Sequence, residues 1–187
     1  MALRGAGGGN FGVITRIDLQ LQKTKVPRLM MGQVTFPFYR INEVLRFYNK
    51  WVLDPDPKKF PDELAVYGMM RVFPDPRFPG KSALALRFTP VYNGTFSEGV
   101  DLLKPLIELK PNSVELYQMN LPEWENYVGT STQVKGHSAY IRSLVFAPDS
   151  LTDDVAEICK KHLGRAPSTD SYIVWPSTRG LIAPHAH

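Results

Sequence analysis

Chemistry-bearing residues fall into three groups along the 187-residue chain. The first is Gly7-Gly8-Gly9-Asn10-Phe11-Gly12, part of a stretch with five glycines in the eight positions from Gly5 to Gly12. Glycines without Cβ atoms admit positive φ and let a flat or charged ligand come close to the backbone. Successive amide N–H groups there could cradle an anion. The second group is Tyr117, His137, Tyr140 and Arg142. A tyrosine can act as acid or base, or hydrogen-bond a substrate hydroxyl. A histidine can shuttle a proton. Ordinary packing or surface roles are the alternative for each. The third group is His185 and His187, an H-x-H pair with no third ligand in view, so no metal site is expected.

The context of the glycines narrows their meaning. They satisfy G-x-G-x-x-G literally, but a dinucleotide fingerprint needs a strand before and a helix after. Here Val13–Gln22 follows, with Val13, Thr15, Ile17, Leu19 and Leu21 on one side and Ile14, Arg16, Asp18, Gln20 and Gln22 on the other. That period of two predicts a half-buried strand. The glycines therefore read either as a ligand-lining loop that enters a strand or as a flexible tail in front of one.

Other elements follow from pattern and punctuation. Leu29–Phe36 predicts a strand. Arg40–Leu53 predicts an amphipathic helix burying Ile41, Val44, Leu45, Tyr48 and Val52. Leu64–Phe73 and Ser82–Tyr92 predict an antiparallel hairpin across a Pro/Gly-rich turn. Thr95 and Glu98 form a capping box for a helix to about Leu109, interrupted near Pro105. Ser113–Met119 predicts a strand, and Leu121–Gly129 is ambiguous, with Pro122 suited to a first helical turn. Gly136–Phe146 predicts a strand. Ser150 is the expected cap of a helix ending at Gly164, with Leu151, Val155, Ile158, Cys159 and His162 as its apolar side. Tyr172–Trp175 predicts a last strand. The expected class is α+β: an antiparallel β-sheet with helices packed on one face.

Composition excludes several functions. The net charge is +4, and its 22 Lys and Arg are scattered rather than gathered in a stripe, so no nucleic-acid partner is expected. The single cysteine, Cys159, rules out a disulfide framework within the chain. No apolar run approaches the length of about 20 residues that a membrane span needs. No signal peptide is visible at the N-terminus, and localisation stays open.

The stretch Ala2-Leu3-Arg4-Gly5-Ala6-Gly7-Gly8-Gly9-Asn10-Phe11-Gly12-Val13-Ile14-Thr15 resembles the end of the flavin domain in FAD-linked oxidases of the vanillyl-alcohol oxidase superfamily, most closely the berberine-bridge-enzyme-like branch. Met1 stands where that family carries tryptophan. Gly136-His137-Ser138-Ala139-Tyr140-Ile141 is similar to the family's K-S-A-Y-V strand, with His137 in the lysine's place. Ser171–Pro176 and Ala183-Pro184-His185 resemble later stretches. The resemblance implies FAD as cofactor, lined by Gly7, Gly8, Gly9, Asn10, Phe11, Gly12 and Val13. It also implies a substrate domain with a large antiparallel sheet, where Tyr117, His137, Tyr140 and Arg142 would meet a small-molecule substrate and Tyr140 or Tyr117 would serve catalysis. On this basis residues 1–24 would be the remnant of a flavin domain and 25–187 part of a substrate domain. The family's flavin-attachment residues and C-terminal part have no counterpart here, so the chain is expected to be a fragment. The parent reaction would oxidise an alcohol or amine C–H, with oxygen as acceptor. The alternative is a non-catalytic α+β binding module without cofactor.

Overall fold

The computed structural model describes residues 12–18, 20, 23–75, 78–132, 140–142 and 150–175. Its elements are β1 (Leu29–Pro37), a 3-10 turn (Phe38–Arg40), α1 (Ile41–Val52), β2 (Leu64–Pro74), β3 (Ser82–Tyr92), α2 (Phe96–Ile107), β4 (Ser113–Met119), α3 (Leu121–Thr132), α4 (Asp153–Leu163) and β5 (Ile173–Trp175). The strands form one sheet in the order β4-β1-β3-β2-β5, and every pairing is antiparallel. The protein is α+β, as the alternation of strands and helices predicts.

The register sorts side chains onto two faces, because successive residues of a strand point to opposite sides. Met30↔Tyr92, Val34↔Phe88 and Phe36↔Leu86 pair across β1 and β3. Val66↔Pro90 and Met70↔Leu86 pair across β2 and β3. These apolar residues form the first face. Against it lie Ile41, Val44, Leu45, Tyr48, Trp51 and Val52 of α1, Leu103 and Leu106 of α2, and Ala156 and Cys159 of α4. Tyr48 stacks on Phe88 with ring centroids 4.8 Å apart, and its buried hydroxyl donates to the Val66 carbonyl at 2.9 Å. A stacked pair of this kind adds about 1 kcal/mol beyond the area it buries.

The second face is different in chemistry. One end is apolar: Leu29 and Met31 pack with Trp124 of α3, with Val26, Val91, Met119 and Tyr127 around them. Beyond that end the face carries Gln33, Thr35, Arg87, Glu115 and Tyr117, as the pairings Thr35↔Arg87, Gln33↔Glu115 and Met31↔Tyr117 require. Three helices thus cover the first face and α3 covers part of the second.

Two glycines permit close approaches that set this geometry. A Cβ on Gly32 would run into the Glu115 carbonyl oxygen, so only glycine lets β4 sit this close to β1. A Cβ on Gly68 would enter the Trp175 indole, which lies over β2 there.

Several local expectations are corrected. Residues 13–18, inside the predicted Val13–Gln22 strand, are not in a strand; Val13 is 92% exposed and Ile17 is exposed too. The alternation there has no partner strand among the described residues, and a lone strand leaves its backbone groups to water. Residues 140–142 of the predicted Gly136–Phe146 strand are also outside any strand, and the rest of that segment lies outside the described residues. The ambiguous Leu121–Gly129 is helical. Its start is fixed by Asn120, whose Oδ1 accepts from the Glu123 amide at 2.9 Å while Glu123 accepts from the Asn120 amide at 3.1 Å. α4 begins after Thr152 rather than Ser150, and it buries Ala156 and Cys159 while Ile158 and His162 are exposed. α2 continues through Pro105 to Ile107. Proline so close to a helix end removes one backbone donor without opening the rest of the helix.

Candidate functional site

The second face of the sheet gathers the described polar groups best suited to chemistry. β4 positions two of them. Glu115 and Tyr117 are two residues apart on one strand and so share a face, and the Tyr117 hydroxyl donates to Glu115 Oε2 at 3.1 Å. α3 supplies the third. Tyr127 is one helical turn beyond Trp124, which anchors the helix on Leu29 and Met31, and its hydroxyl donates to the same Glu115 Oε2 at 3.0 Å. The two phenol rings are tilted by 60° with centroids 5.3 Å apart. Burial pushes the Tyr127 phenol well above its ordinary ionisation, and the hydrogen bonds with Tyr117 and Glu115, together with the Glu115 charge, push the same way. A single carboxylate oxygen therefore holds two phenol hydroxyls in fixed orientation.

β3 positions the cation. Arg87 is half-buried; its Nε donates to Thr35 Oγ1 at 3.2 Å, and its guanidinium carbon stands 3.8 Å from the centroid of the Phe73 ring on β2. Burial lowers its pKa from the usual arginine value, while Glu115 and Tyr127 act in the opposite sense. Thr35 is 3% and Gln33 6% exposed, so β1 forms a polar floor between Arg87 and Glu115. Arg71, two residues before Phe73, is drawn off to Asp170 at 3.4 Å.

The residues singled out from sequence meet this arrangement only in part. Tyr117 is at its centre. Tyr140 is 85% exposed, Arg142 is also exposed, and neither touches the Tyr117 network. His137, His185 and His187 lie outside the described residues, as do Gly7, Gly8, Gly9, Asn10 and Phe11. Gly12 has φ +128°, which side-chain-bearing residues rarely adopt, and nothing lies within 4 Å of where its Cβ would stand. Gly12 and Val13 therefore present open backbone. Sequence reasoning passed over Glu115, Tyr127 and Arg87. The polar positions 113, 115 and 117 on an otherwise apolar-flanked strand carried a signal for Glu115; Tyr127 needed the helical assignment of α3.

A separate cleft of about 800 Å³ opens on the first-face side between α1 and α2, lined by Phe47, Trp51, Lys59, Tyr92 and Leu102 among others. Among the described residues, no three His, Cys, Asp or Glu side chains gather as a metal site would require. No described helix is long and apolar enough to cross a membrane. Compared with known proteins, the chain matches no family model, no curated protein and no solved structure.

Proposed function

We propose that the chain is part of an FAD-dependent oxidase, chiefly its substrate domain, and that the second face of the sheet is the side turned toward substrate. The observation that carries this reading is the combination of the Leu3–Thr15 motif with an antiparallel sheet whose one face is apolar and helix-covered and whose other face bears Arg87, Glu115, Tyr117 and Tyr127. Gly12, with its positive φ and open surroundings, suits close approach by a flat or anionic group, and Gly7 to Phe11 together with Val13 extend that stretch by resemblance. FAD, when bound, would supply the redox chemistry, taking hydride from a C–H that bears an alcohol or amine, with oxygen as final acceptor.

The chain's own residues would place the substrate and move its proton. The substrate hydroxyl gives its proton to the Tyr117 oxygen while the phenol's proton passes to Glu115 Oε2, 3.1 Å away. Tyr127 holds that carboxylate oxygen in place from the other side. Arg87 offers positive charge next to the same floor.

The test is the protein expressed with the coding sequence upstream of the Met1 codon, followed by measurement of visible flavin absorbance. Co-purifying flavin, reduced by an alcohol or amine substrate and reoxidised by oxygen, is the expected result. An in-frame extended protein that neither carries nor takes up flavin overturns the proposal and leaves a cofactor-free binding module.

A further inference from the structure

We propose that the second face of the sheet holds a binding site for a small hydroxylated organic anion, with Arg87 taking its carboxylate and Glu115 its hydroxyl. Arg87 donates through Nε to Thr35 and rests on the Phe73 ring, yet among the described residues it has no carboxylate within ion-pair distance. Glu115 acts on that charge only at a distance, and a guanidinium fork with unspent Nη donors matches a carboxylate in two parallel bonds. Glu115 is the mirror case. Both phenols converge on Oε2, and Oε1 accepts no hydrogen bond among the described residues.

The sheet fixes how these two groups face one another. Arg87 lies opposite Thr35 and Glu115 opposite Gln33, so they flank β1 diagonally on the same face. Two strand spacings and the two-residue offset put their backbones about 12 Å apart across β1. No hydrogen bond joins them; Arg87 donates instead to Thr35 and Glu115 accepts from Tyr117 and Tyr127, with the buried Gln33 and Thr35 of β1 between the two strands. The rings of Tyr117 and Tyr127 stand beside Glu115, and the Phe73 ring backs Arg87. A cation with a free fork, an acceptor oxygen and aromatic walls suit an aromatic hydroxy acid better than a neutral alcohol or a simple anion.

The inference rests on the foregoing reading only in taking this face as the ligand side, and its test uses no flavin, so the two fail separately. The chain is titrated with 4-hydroxybenzoate, benzoate and phenol, followed by NMR shifts of the Arg87 Nε–H and the Tyr127 ring. 4-Hydroxybenzoate is expected to saturate both signals and to bind about tenfold or more tightly than phenol, the range a charged hydrogen bond supplies. Arg87→Met should reduce 4-hydroxybenzoate to the level of phenol, and Glu115→Gln should reduce it toward the level of benzoate. Arg87→Lys keeps the charge and loses the fork; it decides the matter if the methionine variant does not fold, and affinity below the parent's is the expected result. No saturable binding, equal binding of phenol and 4-hydroxybenzoate, or parental affinity in the folded Arg87 variants overturns the proposal.

Discussion

A carboxylate oxygen shared by two phenols has a consequence for each partner. Glu115 Oε2 accepts from Tyr117 and Tyr127 at 3.1 and 3.0 Å. Burial makes it harder for Tyr127 to ionise, and its hydrogen bonds with Tyr117 and Glu115 and the Glu115 charge act in the same direction. Glu115→Gln removes the charge and leaves the burial. The Tyr127 ionisation should then fall toward the ordinary tyrosine value without reaching it, read from the pH dependence of the ring carbon that bears the hydroxyl in selectively labelled protein. An unchanged midpoint would show that Glu115 does not act on Tyr127 through charge. Tyr117 was legible as a candidate from its residue type and its place in a predicted strand. Its partners were not. Glu115 carries an ordinary strand-surface pattern, and Arg87 sits in SALALRFTPVY as the kind of charged position that any half-exposed strand shows. Only the register, which sets Arg87 beside Thr35 and Glu115 beside Gln33, brings them to one floor.

At the scale of elements, local chemistry made most of the fold readable where it was self-contained. α1 was legible because its apolar stripe recurs at helical spacing and Asp54-Pro55 follows it. α2 was legible because Thr95 and Glu98 satisfy each other's backbone donors, and the structure has both halves of that box. The opening Val13–Gln22 alternation misled because period two records a strand's pattern but not the presence of a neighbour. The start of α4 shifted from Ser150 to Thr152, since Ser, Thr and Asp all occur there and each can occupy a cap. The approach of β4 to β1 was not legible at all: Gly32 reads as a weakness in a strand, yet it is what admits β4. Gly32→Ala should therefore push β4 outward and carry Glu115 with it. The expected result is a folded chain with its first-face core intact, faster amide exchange along β1–β4, and a Tyr127 ionisation shifted as in Glu115→Gln. Exchange rates in β4 equal to the parent's would remove Gly32 from any role in placing the site.

Over the whole molecule, charged pairs reinforce the joins that the hydrophobic cores make between segments. Lys25 binds Glu63, joining the approach to β1 with the approach to β2. Arg28 binds Glu123 at 2.7 Å, joining the residue before β1 to α3 and so to the second face. Arg40 binds Glu43 and also donates to the Leu109 and Lys110 carbonyls, holding the loop after α2. Glu157 meets Lys160 and Asn42, linking α4 to α1. Hydrogen bonds from these partners, or from Thr95 in the case of Glu98, hold Glu43, Glu63, Glu98, Glu123 and Glu157 below the ordinary carboxylate value of 4.5. A carboxyl with a lowered folded pKa binds fewer protons folded than unfolded as the pH drops through that range. Its contribution is complete above the unfolded value and is lost as the pH falls through the folded one. Stability should therefore be level from neutral pH to about pH 5 and decline below it. Four of the five groups are exposed and Glu63 is half-buried, so each contribution is small and screened by salt, and the acid decline should be shallower at high ionic strength. Urea midpoints measured from pH 7 to 3 at low and high salt check this. A midpoint that rises on acidification, or an acid limb that salt leaves unaltered, would show that these pairs do not fasten the outer segments to the sheet. Because Arg28–Glu123 anchors α3, the Tyr127 signals should broaden in acid before those of the first-face core.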